Sequence, residues 1–202
     1  MIGIIDYEMG NLASVQKALT FLKAESVISS DPVELNNCKY LILPGVGSYY
    51  EAMQNIHSKN LTNFIKHSTL DQKKPFLGIC LGMQLLSQMG TEDTKCEGLG
   101  LIEGTVELIP DHGLPIPHIG WNNIYIEQES PIFNDIKILD FYFVHSYYFK
   151  ASKLENILAS TEYGKKITAM VKKDNILGAQ FHPEKSQDSG LQLLKNFLDI
   201  YA

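Results

Sequence analysis

The segment FLGICLGMQLL, residues 76–86, places Cys80 between Gly78 and Gly82. Its first half is an apolar run typical of a buried parallel strand, and its second half begins a helical pattern. A residue on a tight strand-to-helix turn needs small neighbours two positions before and after it, because the backbone is crowded there. A cysteine that merely fills the core needs no such neighbours. The pattern therefore predicts that Cys80 is a nucleophile lifted clear of a sheet.

The first half of the chain alternates strand and helix patterns around this segment. Residues 1–6, 26–30, 39–45 and 74–80 read as short strands, and residues 11–23 and 49–68 have apolar side chains at helical spacing. Such alternation is typical of a parallel sheet with helices on both faces. We therefore expect a three-layer α/β fold with a mostly parallel central sheet.

The second half is rich in β-branched and aromatic residues and predicts additional, partly antiparallel strands on the same mixed sheet. The candidate strands cover residues 99–110, 121–127, 140–149, 167–173 and 176–181, before a helical pattern over 189–201. No linker rich in Pro, Gly or Ser interrupts the 202 residues. A chain of this length builds one substantial core, so we expect a single domain over residues 1–202.

Charge and cysteine content exclude several classes of function. The net charge of −6 argues against a general nucleic-acid binder, which would present a basic face. Cys38, Cys80 and Cys96 are an odd number without CxxC spacing, so neither a disulfide framework nor a zinc site is expected. With no signal-peptide pattern and no apolar run long enough to span a membrane, we expect a cytoplasmic protein with free thiols.

A cysteine attacks as the thiolate and needs a base, and His182 is the best candidate. It lies in the segment QFHPEKS, after an apolar strand pattern, with Glu184 two residues further on. Pro183 stiffens the short connection, so the carboxylate can orient the imidazole and stabilise its cation. By itself this tripeptide is more typical of a loop histidine beside an exposed glutamate. Together with the cysteine turn, the functional interpretation becomes the better one.

A glycine-rich loop, Pro44–Ser48, follows another predicted strand. Gly45 and Gly47 allow backbone conformations that present N–H groups to a developing oxyanion. An ordinary turn would have the same composition. However, the carboxyl ends of parallel strands meet at one edge of the sheet, where such folds bind ligands. We therefore expect this loop, the cysteine and the histidine to lie together.

Three of these segments, PGVGS, GICLGMQLL and FHPEKSQ, resemble the signature segments of the class I, or triad, glutamine amidotransferases, which have a flavodoxin-like α/β fold. Three further segments, DYEMGN, IPHIGWN and FYFVHSYY, are similar to those of the glutaminase subunits of imidazole glycerol phosphate synthase. The resemblance extends from Met1 to the C-terminal helix.

The resemblance implies a role for individual residues. Cys80 would be the nucleophile, and His182 the acid and base oriented by Glu184. The backbone amides of Gly47 and Leu81 would form the oxyanion hole. The residues implied in glutamine binding are Gln84, Glu92, Ser146 and Tyr147. Neither a cofactor nor a metal is implied.

The resemblance also implies a heterodimer with a cyclase partner, a (β/α)8 barrel that receives ammonia for histidine biosynthesis. His118, Trp121 and Asn122 would lie at that interface, because aromatic side chains are favoured in such contacts. Membranes and nucleic acids are not expected partners.

Other functions remain open from the sequence. A related amidotransferase could supply ammonia to a barrel partner in surface-polysaccharide nucleotide-sugar amidation. A non-catalytic binding module on the same fold would not need Cys80, His182 and Glu184. A cysteine peptidase or deglycase of a related fold would lack the segments that match the glutamine site. Neighbouring genes for histidine or nucleotide-sugar synthesis would separate the first two.

Overall fold

A computed structural model describes residues 1–201. Its helices are α1 (Leu12–Phe21), α2 (Pro32–Asn36), α3 (Tyr49–Ser58), α4 (Leu61–Lys66), α5 (Leu81–Gln84) and α6 (Gln187–Ile200). Its strands are β1 (Ile2–Ile5), β2 (Ser26–Ser29), β3 (Tyr40–Gly45), β4 (Phe76–Cys80), β5 (Met89–Gly90), β6 (Cys96–Glu97), β7 (Gly104–Leu108), β8 (His118–Ile126), β9 (Asp140–His145), β10 (Tyr147–Ala151), β11 (Ile157–Tyr163), β12 (Lys165–Lys173) and β13 (Ile176–Ala179).

The central sheet has nine strands in the order β2-β1-β3-β4-β13-β12-β11-β8-β9. The first five strands of this order pair in parallel, and the remaining strands join them in antiparallel fashion. The predicted α/β fold with a mixed sheet is therefore confirmed. Its parallel half contains β1 to β4 together with β13.

Helices cover both faces of the parallel half. All residues of β3 are buried, and neighbouring side chains on it enter opposite cores: Ile42 packs with Val15 of α1 and Phe197 of α6, whereas Leu43 packs with Met53 of α3. Side chains alternate between the faces of a strand, so a strand covered on both sides must be apolar throughout. This is the physical basis of the continuous apolar runs in the sequence.

The second half differs in detail from the prediction of one mixed sheet. β7 and β10 leave the main sheet and form a second sheet of four strands in the order β10-β7-β5-β6. The segment over residues 140–149 is divided at Ser146, so that β9 pairs with β8 and β10 pairs with β7. The sequence pattern shows strand character but not which partner each strand takes, and β11 was not expected at all.

The ends of three parallel strands meet at one edge of the sheet. Gly45 at the end of β3 pairs directly with Cys80 at the end of β4, and β13 lies on the other side of β4. His182 follows three residues after the end of β13. The expected gathering of the three motifs at the carboxyl edge is thus observed. Among the described residues, no helix combines the length and apolar character needed to cross a membrane.

Candidate active site

Cys80 lies at the junction of β4 and α5 with φ of 54° and ψ of −110°. This is a strained backbone conformation for any residue other than glycine. Gly82 is required beside it, because a Cβ there would overlap the carbonyl oxygen of Leu43. Gly78 is required because its Cβ would lie 2.6 Å from the Gly82 carbonyl oxygen. The two glycines therefore allow the turn to pack against β3 while it holds the thiol at the edge of the sheet.

His182 and Glu184 form a buried pair. His182 Nδ1 lies 2.8 Å from Glu184 Oε1, and their side chains are only 2% and 1% exposed. A carboxylate can only accept, so the proton of this hydrogen bond is assigned to Nδ1. His182 Nε2 is buried and makes no hydrogen bond with the described residues. The ring therefore has one nitrogen fixed by Glu184 and the other free for chemistry.

The charge state of His182 depends on its two neighbours. Burial by itself lowers the pKa of His182, but Cys80 and Glu184 more than offset this effect and raise it to about 9. Both neighbours favour the imidazolium because a thiolate and a carboxylate each carry negative charge. The arrangement therefore favours a proton on His182 beside Cys80 and Glu184.

Three contacts hold the His182 loop against the sheet. The His182 N–H donates to the Tyr142 carbonyl at 2.9 Å, and the Tyr142 N–H donates to Ser186 Oγ at 3.0 Å. Ser186 Oγ in turn donates to the His182 carbonyl at 2.6 Å. Gly190 of α6 allows close approach, because a Cβ there would overlap the Pro183 carbonyl oxygen. The imidazole thus projects from a rigid support.

Cys80 opens into a cavity of about 530 Å³. The cavity brings together residues from the glycine-rich loop, the turn at Cys80, the loop between β5 and β6, and the corner between β9 and β10. Of the predicted residues, its lining contains Cys80, Gly47, Leu81, Gln84, Glu92, Ser146 and Tyr147. The structure therefore places all of the predicted oxyanion and glutamine-binding residues around one space large enough for an amino acid.

Gln84 is buried in the wall of this cavity instead of lying on a helix surface. Its Nε2 donates to the Tyr147 carbonyl at 2.9 Å and to Gln180 Oε1 at 3.1 Å. Both amide hydrogens are thereby used, so only Gln84 Oε1 remains to accept from a ligand. Gln180 Nε2 lies 3.7 Å from Cys80 Sγ. Gln84 and Gln180 thus connect the nucleophile to the β10 strand.

Glu92 lies at the mouth of the cavity beside the start of α3. Its Oε2 accepts the Tyr49 N–H at 2.8 Å, which satisfies one of the free donors of the first helical turn. Burial raises the pKa of Glu92, although the bond to Tyr49 acts in the opposite direction. A cationic ligand would relieve this penalty. The second carboxylate oxygen is the chemically suitable partner for an ammonium group.

The glycine-rich loop lies opposite the cysteine turn. Gly47 has φ of 101°, a conformation that glycine adopts without strain. The Val46 N–H donates to the Met9 carbonyl at 3.0 Å and is therefore engaged by the protein itself. Leu81 is the first residue of α5, so its N–H has no acceptor within the helix. A bound oxyanion could accept from that amide.

The three residues expected at a partner interface do not share one environment. Trp121 is 45% exposed and packs edge-on against Tyr142. Asn122 is partly buried, and His118 is only 2% exposed. His118 is therefore not part of an exposed aromatic surface: its ring is stacked between Phe143 and Tyr163 on the inner face of β8. Alternation along the strand places Trp121 and His118 on opposite faces.

Several cavity residues were not found from the sequence. Gln180 lies within the apolar run ILGAQF, which predicts a strand. A glutamine in such a run, two residues before His182, was the available signal of a buried polar contact, and the structure shows it buried. Asp93 lines the cavity and accepts from Ser48 Oγ at 2.8 Å. His145 also lines the cavity, and its Nε2 lies 3.0 Å from His118 Nδ1. Such contacts between distant segments leave no local pattern. Within residues 1–201, no cluster of His, Cys, Asp or Glu is suited to hold a metal ion.

Comparison with known proteins gives consistent relatives over almost the entire length. The Campylobacter jejuni (strain RM1221) protein named imidazole glycerol phosphate synthase subunit HisH 1 is 48% identical over 202 residues, covering 99% of this chain and 100% of the relative. The HisH subunit of Caldanaerobacter subterraneus subsp. tengcongensis is 48% identical over 198 residues, covering 98% of this chain and 97% of the relative. The HisH subunit of Geobacillus sp. (strain WCH70) is 45% identical, with coverage of 99% and 97%.

Solved structures share the fold at much lower identity. A crystal structure of a glutamine amidotransferase superposes with a TM-score of 0.78 at 18% identity, covering 99% of this chain and 98% of that one. The structure of PurLQS from Thermotoga maritima gives a TM-score of 0.75 at 17% identity, covering 100% of this chain and 98% of the matched one. The family model described as glutamine amidotransferase class-I matches residues 4–200. This chain therefore belongs to the class-I glutamine amidotransferase family.

Proposed function

We propose that this chain is the glutaminase subunit of an imidazole glycerol phosphate synthase. In this proposal it hydrolyses glutamine to glutamate and ammonia in the cytoplasm, and a cyclase partner uses the ammonia. The observation that carries the proposal is the position of Cys80: it stands on a strained turn, beside the buried His182–Glu184 pair, and opens into a cavity with a carboxylate at its mouth. The resemblance of the whole chain to HisH subunits supports the same function.

The first half of the reaction transfers the γ-glutamyl group to the enzyme. The Cys80 thiolate attacks the amide carbon of glutamine, and the carbonyl oxygen becomes an oxyanion. His182 gives its proton to the departing nitrogen, the C–N bond breaks, and ammonia leaves. A γ-glutamyl thioester remains on Cys80. The Glu184 carboxylate keeps the ring oriented through Nδ1 and stabilises its cationic form.

The second half returns the enzyme to its starting state. The neutral His182 accepts a proton from water through Nε2, and the hydroxide adds to the thioester carbon. The C–S bond then breaks, glutamate leaves, and the thiolate with its imidazolium partner is restored. The raised pKa of His182 suits both steps, because the ring must be a proton donor at rest and an acceptor after ammonia has left.

The cavity provides complementary groups for both ends of glutamine. Glu92 and the Oε1 of Gln84 can accept from the α-ammonium, while backbone N–H groups of Ser146 and Tyr147 can donate to the α-carboxylate. Leu81 and Gly47 would supply the oxyanion donors at the other end. With its two ends bound in this way, glutamine would have its amide carbon beside Cys80.

An exposed apolar face on β8 is the proposed docking surface for the cyclase. Ile119, Trp121 and Tyr125 alternate along the strand and are 59%, 45% and 53% exposed. The next strand of this ribbon, β9, carries Val144, whose carbonyl lies 3.8 Å from Cys80 Sγ. A partner seated on this face would therefore be close to the place where ammonia forms. Such transfer would keep ammonia away from water that would protonate it.

The test is to co-express the chain with a candidate cyclase barrel protein from the same genome. Purified complex should release glutamate from glutamine and, with a phosphoribosyl-formimino aminoimidazole carboxamide ribotide acceptor, form imidazole glycerol phosphate and AICAR. Cys80→Ala in the same complex is the control and should release no glutamate. Turnover with a nucleotide-sugar acceptor alone would reject the histidine pathway and support the surface-polysaccharide alternative. No glutamate release under either condition would reject the glutaminase.

A further inference from the structure

Two histidines outside the catalytic pair are buried against each other. His118 and His145 are 2% and 6% exposed, and His118 Nδ1 lies 3.0 Å from His145 Nε2. Each ring has a second partner through its other nitrogen. His145 Nδ1 lies 2.8 Å from the Tyr147 carbonyl, and His118 Nε2 lies 3.2 Å from Asn122 Nδ2. The four groups form one continuous chain of hydrogen bonds.

The groups at the two ends of this series decide which atom donates and which accepts in each hydrogen bond. The Tyr147 carbonyl can only accept, so His145 carries its proton on Nδ1 and accepts at Nε2. His118 must then donate from Nδ1, and its Nε2 accepts from Asn122 Nδ2. The other hydrogen of that amide donates to the Glu162 carbonyl at 2.9 Å. One tautomer of each ring satisfies every bond.

Both rings are held in the neutral form that this direction requires. Burial lowers the pKa of His118 to about 4. Burial also lowers the pKa of His145, and the nearby His118 and His182 act in the same direction, giving about 3 despite the bond to Tyr147. A proton added to His145 Nε2 would face the Nδ1–H of His118. The chain of hydrogen bonds therefore stays intact at neutral pH.

The chain ends on the backbone corner that lines the cavity. The Tyr147 carbonyl accepts from both His145 Nδ1 and Gln84 Nε2, and the bond from the His145 ring closes a loop around the Ser146–Tyr147 backbone. The Ser146 carbonyl accepts the Ile109 N–H of the neighbouring strand segment at 2.8 Å. The N–H of a trans peptide points opposite to its carbonyl, so the Tyr147 N–H is directed away from Ile109. The two anchored carbonyls thus hold the Tyr147 N–H in one orientation.

We propose that His118 and His145 are positioning residues for the pocket that takes the substrate carboxylate: the chain from Asn122 to the Tyr147 carbonyl sets the orientation of the Ser146–Tyr147 backbone. This inference rests on the proposed glutaminase function. Neither histidine contacts the reacting atoms. Their effect should therefore appear in substrate binding and leave the covalent steps at Cys80 largely unchanged.

The test compares two replacements of His118 in the complex. His118→Phe keeps the flat ring between Phe143 and Tyr163 but removes both nitrogens. His118→Asn keeps an N–H donor near the position of Nδ1. His57→Phe, at an exposed site away from the cavity, is the matched control. Thermal melting establishes that each variant is folded before kinetics are measured.

Loss of a hydrogen bond that orders a buried group corresponds to about a tenfold change in binding. We expect His118→Phe to raise KM for glutamine about tenfold while kcat changes by less than about twofold. His118→Asn should recover most of the lost affinity, and His57→Phe should behave as the wild type. An unchanged KM in His118→Phe, or an equal loss in both His118 variants, would overturn the proposal.

A second measurement uses the wild-type chain and needs no variant to fold. Nitrogen-15 NMR of the histidine side chains should find both rings neutral at pH 7, with a protonated Nδ1 and an unprotonated Nε2. A proton on Nε2 of His145 would be incompatible with the stated direction of the hydrogen bonds and would refute the proposed series. If the wild-type complex hydrolyses no glutamine, the proposed function itself fails; hydrolysis with an unchanged KM in His118→Phe rejects only the positioning role.

Discussion

His182 Nδ1 and Glu184 Oε1 lie 2.8 Å apart at a place where both side chains are almost completely buried. Removing the charge of Glu184 leaves the ring with less support for its cationic form. We therefore expect Glu184→Gln to lower the pKa of His182 and the kcat for glutamine hydrolysis. In a comparable triad the loss from the third member is about two orders of magnitude smaller than that from the nucleophile or base. His182→Asn should be more damaging than Glu184→Gln, and full activity in His182→Asn would exclude the pair from catalysis.

Cys80 should be the cysteine that reacts with substrate-like electrophiles. An electrophilic glutamine analogue should label Cys80, because it lines the cavity, and should leave buried Cys38 unmodified. Cys96, which is partly exposed but lies outside the lining of that cavity, is the internal control. Peptide mass spectrometry after labelling makes the comparison, and competition by glutamine should protect the site. Modification of Cys96 with Cys80 intact would contradict the assignment.

Gly82→Ala should destabilise the chain severely. Its Cβ would overlap the Leu43 carbonyl, which belongs to a buried central strand that cannot move away. Overpacking of this kind costs about 3 kcal/mol or more in the free energy of unfolding. Gly113→Ala is the control, since a Cβ there meets nothing within 4 Å although its φ is +78°. Urea denaturation of both variants measures the difference; an equal, small effect would mean that the turn does not pack as described.

Stability should be greatest near pH 6.5, the ordinary pKa of histidine. Below that pH the unfolded chain protonates His118 and His145, whereas the folded chain does not until about pH 4 and 3. The free energy of unfolding therefore falls as the pH decreases through this window. His182 acts in the opposite direction: with its folded pKa at about 9, its contribution is complete below pH 6.5 and is lost as the pH rises towards 9.

Denaturant titrations between pH 4 and pH 9 would measure both limbs of this profile. His145→Asn should flatten the acid limb, because one of the two buried neutral rings is gone. His182→Asn should flatten the alkaline limb and leave the acid limb in place. A profile unchanged by both substitutions would show that these histidines do not control the pH dependence.

Partner binding should activate the glutaminase. In the present structure the Val46 N–H donates to the Met9 carbonyl, and this bond holds the loop that carries the Gly47 amide in one conformation. A lost oxyanion donor costs about 10²–10³ in rate, which is enough for the loop to act as a gate. We expect the isolated chain to turn over glutamine slowly and the complex with its acceptor to be faster by about that factor. Equal rates would exclude the gate.

The chemistry of the nucleophile and the character of the sheet follow from the order of amino acids alone. Apolar runs such as PFLGIC predict strands covered on both faces, because a central parallel strand has no polar side. The spacing around Cys80 predicts its strained turn, since a Cβ at Gly78 would clash with the Gly82 carbonyl within the turn itself. The proximity of His182 to Cys80 follows from the topology, because the carboxyl ends of parallel strands lie at the same edge of the sheet.

The meeting of polar residues from distant segments depends instead on how the whole chain folds. His118 and His145 are far apart in sequence, and their contact depends on the register in which β8 pairs with β9. The burial of Gln84 and the separation of β10 into a second sheet depend on how the layers pack. Sequence periodicity predicts which face of a helix or strand is buried. It does not predict which element packs against that face, because the pairing depends on the packing free energy of the whole fold.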